Sequence, residues 1–99
     1  MGQTFLKLRV PDEVAALVRS MHPYLKKKIR ASFERILHDP LAGKALKDEL
    51  AGLRSFRVSR YRVIYRVTER KELAIVAVGP RERIYEDTFR LISKVKTNV

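Results

Sequence analysis

The apolar residues of this chain change their spacing once, near Leu53, and that change limits the fold more than any other feature of the sequence. Before it the spacing is helical. Val14, Leu17, Val18 and Met21 fall at i, i+3, i+4 and i+7, and Leu25, Ile29, Phe33, Ile36 and Leu37 form a second stripe. After it the period drops to 2. Phe56-Arg57-Val58, Tyr61–Val67 and the nearly continuous apolar run Leu73–Val78 predict three strands, separated only by Ser59-Arg60 and by Thr68–Lys71. Strands joined by such short turns pair antiparallel. A helical half followed by a strand half predicts an α+β domain with its helices packed on one face of an antiparallel sheet.

Local signals supply the boundaries. Thr4–Val10 sets Phe5, Lys7 and Arg9 against Leu6, Leu8 and Val10, as in a strand with one apolar face. Pro11-Asp12-Glu13 starts a helix, His22-Pro23 ends it and starts another, and His38-Asp39-Pro40 stops the second. The two helices form an antiparallel hairpin. Leu41–Gly52 connects them to the strands, with a short helical turn expected through Ala45-Leu46-Lys47. Gly79-Pro80 breaks the last strand, and a final helix from Ile84 places Tyr85, Phe89, Ile92 and Val95 on one side. The expected order is β-α-α-β-β-β-α in a single domain over residues 1–99.

Charge narrows the partner. Twenty-two Lys and Arg face 11 Asp and Glu, a net charge of +11. Solubility alone asks for about 2–8 in a small domain, so the excess points to an anionic partner, with nucleic acid ahead of lipid. The basic residues are spread over helices and strands alike, unlike a membrane-binding basic helix. Cysteine is absent, which excludes disulfides, thiolate zinc sites and thiol nucleophiles. No metal-ligand spacing and no Ser, His and Asp grouping occurs, and no cofactor is expected. The N-terminus lacks a long apolar stretch, so neither a signal peptide nor a membrane span is expected, and a cytoplasmic setting fits.

The strand arginines are the strongest candidates for chemistry. By strand period Arg62 and Arg66 share a face with Ile64, while Tyr61, Val63, Tyr65 and Val67 share the other. Packing the aromatic face against the helices leaves the arginines toward solvent or ligand. Arg57 comes from the neighbouring strand, and Arg81 and Arg83 follow Gly79-Pro80. A guanidinium fork matches phosphate oxygens and keeps its charge, so a cluster of them is best explained by a phosphate ligand. The bland alternative is a set of solvated or salt-bridged arginines. Lys26, Lys27 and Lys28 read first as a solvated helix face, with nonspecific phosphate contact as the second reading. His22 and His38 sit where histidine caps helices. Glu34, Glu49 and Glu82 are isolated carboxylates. Tyr85 reads equally as a core residue and as an active-site phenol.

These segments resemble the RelE/ParE superfamily of bacterial toxins. Leu50-Ala51-Gly52 followed by the basic strand to Val58, then Tyr61-Arg62-Val63-Ile64-Tyr65, then Val76-Ala77-Val78-Gly79-Pro80-Arg81-Glu82-Arg83-Ile84-Tyr85, is similar to the family's three motifs in order and spacing. The resemblance covers nearly the whole chain. It implies the toxin of a type II toxin–antitoxin module, and in the RelE-like branch a metal-independent endoribonuclease that cuts mRNA in the ribosomal decoding site. Carried over by motif, the catalytic residues are Arg57, Arg62, Arg81 and Tyr85, with Lys26, Lys27, Lys28, Arg54, Arg66 and Arg83 as further RNA contacts. Ser55 and Arg57 stand where such members often carry two lysines, and no histidine lies near Arg81. Arginine scarcely deprotonates, which leaves the general base unassigned. The resemblance further implies a heteromeric complex with an acidic, RelB-like antitoxin. ParE-like inhibition of DNA gyrase is the alternative activity, and a basic module that only occludes RNA or a protein surface is a third.

Overall fold

The computed structural model describes residues 6–97, with side chains placed through Ser93. Its elements are β1 (Lys7–Arg9), α1 (Asp12–Ser20), α2 (Pro23–His38), β2 (Lys44–Ala45), β3 (Arg54–Val58), β4 (Tyr61–Val67), β5 (Glu72–Pro80) and α3 (Ile84–Thr97), with a 3-10 turn at Asp48–Leu50. Thr4 and Phe5, expected on the first strand, lie outside the described residues, as does the side chain of Val95.

The helical hairpin forms where the sequence places it. Asp12 and Glu13 occupy the first turn of α1, where carboxylates complement the helix dipole. His22 caps α2: its Nδ1 accepts the Tyr24 N–H at 3.1 Å, and Pro23 fills the first helical position. Val14, Val18, Ile29, Phe33 and Ile36 pack against Val58, Val63, Tyr65, Leu73, Ile75 and Val78 on one face of the sheet. Each large side chain fully withdrawn from water there contributes about 1.5–3 kcal/mol.

The sheet has the order β1-β5-β4-β3-β2. The β-hairpins from β3 through β5 are antiparallel as their short turns require, but β1 runs parallel to β5, so the sheet is mixed. A second correction concerns the faces. The helical hairpin covers one face, whereas α3 lies on the other, where Leu53, Ile64 and Ile84 form a smaller core with Leu46, Leu50, Val76, Ala77, Tyr85 and Ile92 at its margin. A bulge allows both. Tyr65 pairs with Ile75 and Ile64 with Ala77, so Val76 is an extra residue on β5 that resets its alternation. Ile75 and Val78 therefore both face the helical hairpin, which explains why this strand reads as an unbroken apolar run.

Smaller differences have local causes. The helical turn expected at residues 45–47 forms instead at Asp48–Leu50, because Lys44 and Ala45 pair with Ser55 and Arg54. Gly79 and Pro80 remain in β5, opposite Arg62 and Tyr61, and the break follows them. On α3 the buried stripe includes Ile84 and Thr88, whereas Phe89 is 44% exposed. Thr88 is tolerated inside because its hydroxyl donates to the Ile84 carbonyl at 2.7 Å. Leu17 is likewise 41% exposed, at the rim between α1 and α3.

Candidate active site

The face of the sheet that carries α3 also gathers the arginines. Antiparallel register sets Arg57 directly opposite Arg62 and Arg62 opposite Gly79, so the three positions form one row across β3, β4 and β5. The next row is Ser55, Ile64 and Ala77. Two guanidinium groups facing each other across a ladder are mutually repulsive. Gly79 brings no side chain to this row and leaves room for the tip of Ile84. A Cβ at Gly79 would stand 2.9 Å from Ile84 Cδ1.

Arg62 is held inside the site. Its Nη1 donates to Ser55 Oγ at 3.4 Å, while its Nε is buried and has no hydrogen-bond partner. The Tyr85 hydroxyl, at the start of α3, donates to the same Ser55 Oγ at 3.0 Å. Ser55 is only 2% exposed, so one buried hydroxyl ties the phenol to the arginine. Tyr85 is half-buried at the margin of the smaller core, and its hydroxyl reaches Ser55 beside Arg62.

Arg81 is placed by backbone bonds. Its N–H donates to the Arg60 carbonyl at 2.8 Å, locking the end of β5 to the β3–β4 turn, and Arg83 N–H donates to the Pro80 carbonyl at 3.1 Å. Both side chains are exposed at the end of the sheet nearest the Arg57–Arg62 pair. Among the described residues the ion pairs are Arg9 with Glu72 and Arg90 with Glu86 and Asp87. Arg57, Arg62, Arg81 and Arg83 form no ion pair with a described carboxylate.

Other candidates lie elsewhere. Arg66 is exposed on the α3 face, one row beyond Ile64. Arg54 points to the opposite face, where its Nη1 donates to the carbonyls of Gly43 at 2.6 Å and Leu41 at 3.5 Å, so its fork braces a loop. Lys26, Lys27 and Lys28 sit on α2, behind the sheet. Lys28 Nζ donates to Ser59 Oγ at 3.3 Å and lies 4.6 Å from the centre of the Tyr24 ring. The residue missed as a participant is Ser55. Its signal was present, since it shares strand parity with Arg57 and so must face the arginine side. Among the described residues no cluster of three or more His, Asp or Glu is placed to hold a metal ion, and no helix is long and apolar enough to cross a membrane.

Such a surface can hold a phosphodiester by bidentate hydrogen bonds and meet added negative charge with several fixed cations. Comparison with known proteins identifies the setting. A family model described as the ParE toxin of type II toxin–antitoxin systems, parDE, matches residues 9–85, a span that includes Arg57, Arg62, Arg81 and Tyr85. No curated protein matches the chain. Among solved structures, the toxin–antitoxin complex RelBE2 of Mycobacterium tuberculosis is 26% identical with a TM-score of 0.67, over 76% of this chain and 96% of that one. A mutant of the E. coli toxin RelE in the free state shares the fold at 19% identity and a TM-score of 0.68, over 88% of this chain and 97% of that one. The archaeal RelE–RelB complex of Pyrococcus horikoshii does so at 22% and 0.65, over 80% and 98%. The chain belongs to the ParE toxin family, within the RelE/ParE superfamily of toxins of type II toxin–antitoxin systems.

Proposed function

We propose that this toxin is a metal-independent endoribonuclease that cuts mRNA in the decoding site of the ribosome and so stops translation in the cytoplasm. One observation carries the reading: Arg62, opposed by a second arginine, keeps a buried Nε without a partner, and none of the described carboxylates pairs with either. A buried unpaired donor costs about 1–3 kcal/mol, which an anion in the site would relieve. In the reaction the 2′-hydroxyl oxygen bonds to the adjacent phosphorus and the bond to the 5′-oxygen breaks. This leaves a 2′,3′-cyclic phosphate and a 5′-hydroxyl. Arg57, Arg62 and Arg81 meet the negative charge of the phosphorane, and Tyr85, held by Ser55, gives a proton to the leaving 5′-oxygen. The proton of the 2′-hydroxyl passes to water. No side chain of the arginine cluster is a proton acceptor of the usual kind, which predicts a slow chemical step that rises with pH.

The family match favours a second reading, in which the same surface inhibits DNA gyrase without cutting RNA. Both readings include a cognate acidic antitoxin, since the similar structures from M. tuberculosis and P. horikoshii are toxin–antitoxin complexes. The test is to incubate the protein with translating ribosomes and map mRNA 5′ ends. Cuts that disappear with Arg81→Ala support the nuclease. Intact mRNA together with gyrase-linked DNA breaks supports the second reading. Neither product would leave a binding module that acts by occlusion.

A further inference from the structure

We propose that Ser59 and Lys28 are positioning residues, which hold the β3–β4 turn so that Arg57, Arg62 and Arg81 converge on one phosphate. This rests on the RNA reading above and extends it to residues outside the site. The turn stands where the three arginines meet. It consists of Ser59 and Arg60, and only the pair Val58–Tyr61 separates it from the row in which Arg57 opposes Arg62. The Arg60 carbonyl accepts the Arg81 N–H at 2.8 Å, so the same turn also fixes the third arginine. Like charges facing one another push apart. The spacing of these three therefore depends on how firmly the turn that joins them is held.

The turn is both strained and tied. Ser59 has a φ of 55°, a left-handed conformation that glycine adopts freely and a residue with a Cβ adopts at a steric cost. Strained residues gather where geometry serves function, and the hydroxyl gives the reason for a serine here. Ser59 Oγ accepts from Lys28 Nζ at 3.3 Å, which links the turn to α2. The ammonium is itself placed by the Tyr24 ring, one helical turn earlier, whose centre lies 4.6 Å away. Lys28 forms no ion pair with a described carboxylate. Lys28 and Ser59 are both exposed, so their bond adds little to stability. What it sets is the angle of the turn against the helix behind it.

The test uses programmed ribosomes carrying mRNA. The single-turnover rate at saturating ribosomes reports the chemical step, and the ribosome concentration that gives half this rate reports binding. Ser59→Gly relieves the strain but removes the acceptor. It should melt no lower than wild type and yet cut about tenfold more slowly, within the roughly hundredfold that a misplacement of about 1 Å can cost. Lys28→Met should lose rate in the same way at an unchanged half-saturating concentration, and the two changes together should lose no more than either alone. Ser59→Asn tolerates the left-handed region and offers Lys28 a carbonyl oxygen, so it should cut close to the wild-type rate. Hydrogen exchange of the Arg81 amide reads the same tie without any cleavage: it should quicken in Ser59→Gly and Lys28→Met but not in Ser59→Asn. A wild-type rate in Ser59→Gly, or a Lys28→Met that shifts only the half-saturating concentration, overturns the inference. If the wild-type toxin leaves mRNA uncut, the RNA reading fails, and the Arg81 amide then decides the tie alone, unchanged exchange in both variants overturning it.

Discussion

Replacing Tyr65 by Phe removes one oxygen from the centre of the molecule. That hydroxyl donates to the Pro40 carbonyl at 2.6 Å and accepts the Gly43 N–H at 2.9 Å, fastening the α2–β2 connection to the sheet. Tyr65 and Gly43 are buried, so the orphaned N–H has no route to water and costs about 1–3 kcal/mol. Pro40 is partly exposed, and its carbonyl loses only the net worth of a hydrogen bond, about 0.5–1.5 kcal/mol. Together they predict a loss of about 2–4 kcal/mol, lowering Tm by roughly 10–30 °C for a domain of this size. Alkaline pH supplies a second signature. Burial pushes the Tyr65 phenol above its ordinary value of 10.0; the Gly43 N–H and the Arg54 charge pull it back in part, and Asp39 raises it further. Below pH 10 the folded and unfolded chains both keep the proton, and the contribution of the hydroxyl is whole. Above pH 10 the unfolded chain releases its proton first, so stability falls as pH rises. Urea unfolding followed by circular dichroism should give a constant gap between wild type and Tyr65→Phe from neutral pH to about pH 9.5, narrowing above pH 10. A loss below about 0.5 kcal/mol, or a gap that widens with pH, would refute the anchoring role.

Gly43→Ala tests the same joint from the other side. Its Cβ would lie 2.6 Å from the Tyr65 hydroxyl oxygen and 2.7 Å from Cε1 of its ring, so a thermal melt should show a loss of about 1–3 kcal/mol. Ser55→Ala frees both Tyr85 and Arg62, and should slow mRNA cleavage about 10- to 100-fold with a much smaller effect on RNA affinity. Arg62→Lys keeps the charge but loses the planar fork, so it should not restore the rate lost in Arg62→Ala. Arg54→Ala, in contrast, should lower stability through the Gly43 and Leu41 carbonyls and leave the single-turnover cleavage rate nearly unchanged.

Much of this architecture was legible in the residues because alternation and helical period are written locally. β4 runs over Tyr61–Val67, the span that its pattern predicts, and α2 starts at Pro23 and runs one residue past its expected end, through His38. Long-range pairing was not legible. Nothing in Lys7–Arg9 specifies a parallel partner, because that choice depends on how the helical hairpin returns the chain. The extra residue Val76 was hidden because Ile75, Val76 and Ala77 are all apolar, so the change of face leaves no polar mark. The α3 face was misjudged for a related reason: Ile64 lies between Arg62 and Arg66, and its need for cover brings a helix onto the arginine side. For the site, strand parity set Arg62 and Arg66 on one face, and the pairing register then set Arg57 opposite Arg62. The joining role of Ser55 needed register as well as parity, since only pairing brings β3 beside Arg62 and α3 above both.

The proposed chemistry stands or falls on whether the arginines of this sheet stabilise a phosphorane on RNA. Single-turnover cleavage of mRNA on programmed ribosomes by wild type and Arg62→Ala, with the product ends identified chemically, decides it. The expected products carry 2′,3′-cyclic phosphate ends, and the rate is roughly 10²–10³-fold lower without Arg62, the usual loss for one preorganised donor. Uncut mRNA with the wild-type toxin, or cleavage at the same rate in Arg62→Ala, would contradict it.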